Sequence, residues 1–292
     1  MKVLITGSNG QLGSEVRELA ANYSKLDLVF KNSHELDICN FDELQNFIIK
    51  NNIIAVINCA AYTAVDKAES EANLVERINA DAPAAMASAC AELKIPLVHI
   101  STDYVFDGSG SAPWSTTDTP NPQNVYGRSK LQGEENIKSS GCTYAILRTS
   151  WVVSVNGNNF VKTMLQLSKR RDSLAVVDDQ IGGPTCASDI AQTCVSIAKQ
   201  LIKEPDKTGV YHYTGQPDVS WCQFANAIFE QMDCKTIAGP IPTTEYPTPA
   251  SRPLNSRLNC EAIEDTFGIA RPFWRDGLEE ILRDLEDEDD RA

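Results

Sequence analysis

The sequence predicts an α/β fold with a doubly wound parallel sheet, and three observations predict it. Short runs rich in β-branched residues alternate with helical stretches from residue 2 to residue 149. The first run passes straight into a glycine-rich turn and a helix. The alternation carries the right-handed crossovers that join parallel strands. Together these give a Rossmann-type dinucleotide-binding domain over residues 1–150. A smaller α/β C-terminal domain follows over residues 151–292, with segments free to return to the first.

Residues 2–6 read as a short buried strand. Gly7, Ser8, Asn9, Gly10, Gln11, Leu12 and Gly13 follow, and residues 15–21 read as a helix. Glycines permit the tight turn and let the backbone approach a pyrophosphate, and the helix N-terminus offers N–H groups to it. Residues 26–30 form a second strand, ending in Phe30-Lys31-Asn32-Ser33. No acid stands at that end to bind a ribose 2′-hydroxyl, and Lys31 suits a 2′-phosphate, which favours NADPH over NADH. Asp37, beyond the strand, is a candidate for adenine contact or for the N-cap of a helix over residues 40–50. Residues 53–58 form the third strand, rich in β-branched residues as buried parallel strands are. Cys59, Ala60, Ala61, Tyr62 and Thr63 follow, small enough at the start to leave room for a dinucleotide at the sheet edge where such folds bind ligands.

A helix begins near Asp66, and a second helical stretch carries Asn79 through Leu93. Asn79 either holds a water behind the residues described next or is solvated. Residues 96–101 form a fourth strand, which delivers Thr102 and Asp103 to the same edge. Residues 108–121 form a loop long enough for a functional flap. From Pro122 the chain becomes a helix carrying Tyr126 and Lys130, and residues 144–149 form a fifth strand. Residues four apart share a helix face, so a phenol and an ammonium stand side by side. A neighbouring cation lowers the phenol's pKa toward the range of general acid–base catalysis. With the Thr102 hydroxyl nearby, this set suits protonating a carbonyl oxygen while a hydride reaches its carbon.

After Trp151 the pattern changes. Helices are expected over residues 160–169, 190–203 and 221–232, the last capped by Ser220, and strands over 174–177 and 210–213. The proline-dense stretch from Pro240 to Pro253 predicts little regular structure. It leads to Arg252, Asn255 and Arg257, a candidate phosphate-binding set or a loop pinned to the surface.

Composition bounds the partners. Apolar residues make up 42% of the chain, enough for a sizeable core, and no run of roughly 18 of them suggests a membrane span. The N-terminus lacks the layout of a secretory leader. The nine cysteines show no C-x-x-C pair, which fits reduced core thiols in a cytoplasm. A net charge of −14 argues against nucleic acid, so an anionic substrate needs local Arg or Lys. Part of that charge lies in residues 284–290, expected as a helix end fraying into solvent.

The glycine loop, Asn79 and the Thr102/Tyr126/Lys130 set resemble the extended short-chain dehydrogenases/reductases. Residues 60–69, Ser101-Thr102-Asp103-Tyr104-Val105-Phe106, residues 148–152, Asn158-Asn159-Phe160, residues 246–249 and Arg252-Pro253-Leu254-Asn255-Ser256 narrow this, and resemble the dTDP-4-dehydrorhamnose reductase family. The resemblance implies that Tyr126 protonates a sugar C4 keto oxygen and that Lys130 binds the nicotinamide ribose and lowers the pKa of Tyr126. It implies that Thr102 holds the sugar oxygen and that Asp103 and Trp151 line the sugar site. Residues 7–13, Asp37, Ile38 and residues 61–63 would bind NADPH, with NADH also possible. Glu15 matches an acid that some members use to bind Mg²⁺ at a subunit contact, but Ser188 is not acidic and only its neighbour Asp189 is, so a metal is not expected. The partner is then a dTDP-linked sugar, and the assembly a monomer or homodimer. Another nucleotide-sugar reductase, a 4-epimerase and a non-catalytic regulatory subunit are the alternatives, since fold alone does not fix function.

Overall fold

The computed structural model describes residues 1–23 and 26–289. Its main sheet has six parallel strands. Five come in succession: β1 (Lys2–Thr6), β2 (Asp27–Lys31), β3 (Ile53–Asn58), β4 (Leu97–Thr102) and β5 (Tyr144–Thr149). The sixth, Gly209–His212, comes from the second half of the chain and pairs with β5. The spatial order is Gly209–His212, β5, β4, β3, β1, β2. The order reverses at β1, which lies between β2 and β3. The crevice at the carboxyl ends of these strands is therefore a topological switch point.

Alternation along the strands fills two cores. Val3, Ile5, Ala55, Ile57, Val98 and Leu147 face one side, packed with Val16 and with Ile190, Cys194 and Ile197. Leu4, Val56, Leu97 and Ile146 face the other, packed with Leu44, Ile48, Met86 and Cys90. Both faces are buried, which is why these runs are apolar throughout. A third core gathers Val161, Phe224, Ile228, Trp274 and Leu278 from the second half.

Several helices depart from the expected bounds. α1 (Gln11–Glu18) starts four residues early and passes into a 3-10 turn, Leu19–Asn22. α2 (Phe41–Lys50) is capped by Asn40, whose side chain accepts from the Glu43 N–H. Asp37 is therefore not the cap. α3 (Val65–Ala68) and α4 (Ala72–Glu76) precede a π turn, Arg77–Asp81, which runs into α5 (Ala82–Leu93). α6 (Val125–Ser139) starts after its cap Asn124, which accepts from the Gly127 N–H at 2.7 Å.

In the second half, the helix Ala187–Leu201 begins three residues before its expected start. Ser220 caps Trp221–Gln231 with a full capping box. The proline-dense stretch is more regular than expected at its start, where Ile237–Ile241 pairs in parallel with Ser173–Val177. This is an edge of a two-stranded sheet, where Pro240 loses no ladder partner on its open side. The last helix spans Trp274–Asp289, and Asp290 of the acidic run lies outside the described residues. No helix among the described residues is long and apolar enough to cross a membrane. The cysteines are free thiols, most of them buried.

α6 packs unusually close to its neighbours. A Cβ at Gly127 would lie 2.2 Å from the Tyr104 carbonyl oxygen, and one at Gly133 would lie 2.2 Å from that of Asn79. The next residue, Glu134, is fully buried. Its carboxylate accepts from Arg148 Nη2 at 2.6 Å, from Arg148 Nε at 2.9 Å and from the Ser101 hydroxyl at 2.5 Å. The Arg148 guanidinium lies over the Phe106 ring, 5.0 Å from its centroid.

Gly133→Ala has no room to collapse into, and overpacking of about 1–3 kcal/mol is expected. Urea denaturation checks it, and an unchanged midpoint would reject the close approach. Arg148→Met leaves Glu134 buried without its cation, and a loss of roughly 3–5 kcal/mol is expected in the same measurement.

Candidate active site

Gly7 ends β1 with φ +66°, and a Cβ there would sit 2.6 Å from the Ala60 nitrogen. Only glycine brings this turn against the chain leaving β3. Gly13 is equally closed, with the Gly7 carbonyl 2.4 Å from a would-be Cβ. Gly10 differs: its open side meets only that carbonyl, at 3.4 Å. Gly10 also caps α1 without any side chain, which leaves first-turn N–H groups for an anion. The buried Ser8 hydroxyl beside them has no partner among the described residues. This cradle fits a dinucleotide pyrophosphate. Asn9 is exposed on it, while Leu12 turns into the core. Gln11 accepts from Asn159 Nδ2 at 3.2 Å, which ties the loop to the second half of the chain.

Lys31 ends β2 with its ammonium 4.0 Å from Glu35 and over the Phe47 ring. Glu35 also accepts from the Asn32 N–H at 3.0 Å. The turn after β2 folds back on Asn32, which brings Glu35 beside Lys31. Asp37 accepts from the Cys39 N–H at 2.9 Å and faces Arg77, and Ile38 packs against the core. Asn58 Oδ1 accepts from the Ala60 N–H at 3.0 Å and positions the start of the Ala60–Ala61–Tyr62–Thr63 segment. Asn79 is not solvated. It is buried, brackets Tyr62 through both its N–H (2.8 Å) and its carbonyl (3.1 Å), and donates to Ser129 on α6 at 3.1 Å. The π turn aims it there.

At the end of β4, Thr102 accepts from the Tyr104 N–H at 3.2 Å and donates to Asp103 at 3.0 Å. Its hydroxyl also lies close enough to the Tyr126 phenol to oppose the effect of burial on it. The Tyr104 ring stands edge-on to that of Tyr126, 5.5 Å between centroids. Burial pushes the Tyr126 phenol up, the Thr102 hydroxyl opposes this, and Asp103 and Tyr104 add to it. The expected lowering by Lys130 is absent. The Lys130 ammonium position is turned to the Ile100 carbonyl at 2.6 Å and to His99 Nε2 at 3.2 Å. Burial brings Lys130 down to about 8, against the pull of Glu134. Asp103, also buried, rises to about 6, with Ser256 and Thr102 bonds opposing.

The remaining candidates surround this centre. Trp151 follows β5 in the left-handed region, φ +51°, and stacks on Trp221 with centroids 3.6 Å apart. Arg252 donates to Asp66 at 2.7 Å and to the Tyr104 hydroxyl at 3.0 Å. Asn255 is buried and donates to the Ser109 and Ala112 carbonyls at 3.2 and 2.9 Å. It fixes the loop expected as a flap, and Trp114, stacked on Phe106, fixes it again. Glu15 accepts from Ser154 at 2.6 Å, and Asp189 rises to about 6 through burial and the charges of Glu280, Asp276 and Glu15. No group of three or more His, Cys, Asp or Glu among the described residues is arranged to hold a metal ion. His99, inside an apolar strand, was missed in the sequence; its only signal there is an imidazole where a β-branched residue is expected.

The family model described as RmlD substrate binding domain matches residues 1–287. A dTDP-4-dehydrorhamnose reductase of Aggregatibacter actinomycetemcomitans is 42% identical over 287 residues, which cover 96% of this chain and 98% of the relative. The crystal structure of a dTDP-4-dehydrorhamnose reductase from Clostridium acetobutylicum superposes with a TM-score of 0.91 at 39% identity, over 98% of this chain and 100% of that one. The Bacillus anthracis dTDP-4-dehydrorhamnose reductase, in complex with NADP, gives 0.90 at 37% identity, over 97% and 99%. A UDP-glucose 4-epimerase from Brucella ovis, 18% identical, shares the fold alone. With the glycine cradle and the Thr102–Tyr126 pair at one sheet edge, and a likeness that runs along nearly the whole chain, this protein belongs to the dTDP-4-dehydrorhamnose reductase family.

Proposed function

We propose that this chain reduces the C4 keto group of dTDP-4-dehydro-L-rhamnose to give dTDP-L-rhamnose, the last step of dTDP-L-rhamnose synthesis. NADPH is the donor, and NADH is also accepted. The observation that carries the reading is the Thr102 hydroxyl against the Tyr126 phenol at the carboxyl edge of the sheet that bears the glycine cradle. When bound, NADPH supplies the hydride that the C4 carbon takes up. Tyr126 gives its phenolic proton to the C4 oxygen, and burial keeps that proton on the phenol beforehand. Thr102 donates a hydrogen bond to the same oxygen and orients it. Lys130 binds the nicotinamide ribose and, as a cation, stabilises the phenolate that forms.

Asp103 and Trp151 line the sugar, with Trp151 held rigid by Trp221. Arg252 exchanges Asp66 for the substrate diphosphate, a bidentate acceptor that suits a guanidinium. Asn255 keeps the 108–112 backbone in place beside it. Residues 7–13, Lys31, Asp37, Ile38 and residues 60–63 hold the cofactor. Residues 1–150 form the dinucleotide-binding part, and residues 151–292 mainly the substrate-binding part. A cytoplasmic location fits the free thiols, and the enzyme works as a monomer or homodimer, with neither nucleic acid nor membrane as partner.

The test is loss of nicotinamide absorbance on adding dTDP-4-dehydro-L-rhamnose, with NADPH and NADH in parallel. Stoichiometric oxidation with dTDP-L-rhamnose as product is expected, faster with NADPH. No oxidation by a folded, cofactor-binding sample would reject the reading. Tyr126→Phe is expected to bind NADPH within a few-fold of the parent yet lose about 10²- to 10⁴-fold in kcat. Near-normal turnover would remove Tyr126 as the acid.

A further inference from the structure

We propose that His99 is a positioning residue that favours Lys130 as a neutral amine in the free enzyme at alkaline pH, so that cofactor binding there charges the lysine beside Tyr126. The inference rests on the reading of Lys130 as a cofactor ligand and adds the proton that binding must take up.

The argument is one of hydrogen-bond direction. A backbone N–H can only donate, so the Asn58 atom 3.0 Å from the Ala60 nitrogen is Oδ1. Thr6 donates to the same atom at 2.7 Å. The amide orientation is thereby fixed, and Asn58 Nδ2, 2.9 Å from His99 Nδ1, must donate. Nδ1 of His99 carries no proton. A neutral imidazole then has its one proton on Nε2, which lies 3.2 Å from Lys130 Nζ. An ammonium has three donors and no acceptor, so it would set N–H against N–H. An amine accepts from His99 and donates to the Ile100 carbonyl at 2.6 Å. Every member of the chain Thr6–Asn58–His99–Lys130 is buried, so no solvent relieves a mismatch.

The surroundings act in the same direction. His99 is kept neutral chiefly by burial. Burial brings Lys130 down to about 8 even against the opposing charge of Glu134. The titratable or charged groups around the lysine are His99 on β4, Tyr126 and Glu134 one turn to either side on α6, and Arg148 on β5. Glu134 is the one group favouring the ammonium, and Arg148 and Lys138 already share its carboxylate.

Cofactor phosphates reverse the preference. A hydroxyl accepts from either form, but the negative charge of the cofactor's phosphates favours the ammonium, so Lys130 leaves His99 and gains one proton from solvent. The sign follows. Above about 8 the free enzyme carries the amine, so binding takes up a proton, and affinity falls as pH rises. Below that pH the lysine is already charged, and the uptake disappears. In the alkaline range, the phenol that burial holds high in the free enzyme is lowered once the hydride donor is seated.

Isothermal titration of NADPH into the full-length protein, in two buffers of different ionisation enthalpy, reads the proton count. The nucleotide's 2′-phosphate, with a second pKa near ~6, is silent at about pH 8.5. Uptake approaching one proton per site is expected there, and little at about pH 6.5. In His99→Gln the amide oxygen accepts from an ammonium, and at least a three-fold smaller uptake at the higher pH is expected. Tyr126→Phe is expected to keep the full uptake. Binding without uptake at the higher pH would overturn the proposal, as would full uptake in His99→Gln or its loss in Tyr126→Phe. Failure of the parent protein to bind NADPH at all would instead overturn the reductase reading.

Discussion

The buried pairing of Glu134 with Arg148 is the constraint on which the site depends. It joins α6 to β5 directly and to β4 through Ser101. A buried ion pair contributes little net stability against an apolar replacement, because desolvation offsets the attraction. Its value here is register. One helical turn of slip would carry the carboxylate away from both partners. The same slip would move Tyr126 from Thr102 and Lys130 from His99. Gly127 and Gly133 serve the same end, since they admit the backbones of Tyr104 and Asn79 at distances no side chain allows.

Around that fixed helix, burial sets the resting charges. Tyr126 is held protonated and His99 neutral, while Lys130 loses much of its preference for the ammonium. Asp103, raised by burial to about 6, still carries charge at the centre near neutral pH, and further formal charges lie at the rim, in Arg252 with Asp66 and Lys31 with Glu35. Ligand phosphates would meet these rim pairs, each already holding a cation in position. The acidic chain as a whole thus presents local cations where anions must land.

β1, β3, β4 and β5 were legible because they are buried on both faces and so carry largely apolar runs, whereas β2 is a partly exposed edge strand with a weaker signal. The glycine cradle was legible because its backbone demands leave a residue-type mark. Gly209–His212 reads as a strand, but its place beside β5 is a long-range pairing that no local pattern encodes. Asn79 was ambiguous because a polar residue on a helix looks solvated until the π turn rotates it inward. The Tyr126/Lys130 spacing was read correctly as one helix face, yet that face does not decide what the lysine touches. His99 on the adjacent strand decides it, and a single imidazole in an apolar run carries no direction.

The late arrival of the sixth strand bears on how the chain matures. His212 on that strand lies 3.5 Å from Arg148 Nη1, and its other ring nitrogen lies 3.0 Å from the Trp114 carbonyl. During synthesis, β5 emerges long before the strand that covers it. Until residue 212 leaves the ribosome, the sheet has an open edge beside its most demanding ion pair. A nascent chain paused near residue 150 would display an unpaired row of N–H and C=O groups, a template for other chains. The N-terminal part thus depends on the C-terminal part for an edge as well as for a substrate, and this ties the order of translation to the risk of aggregation.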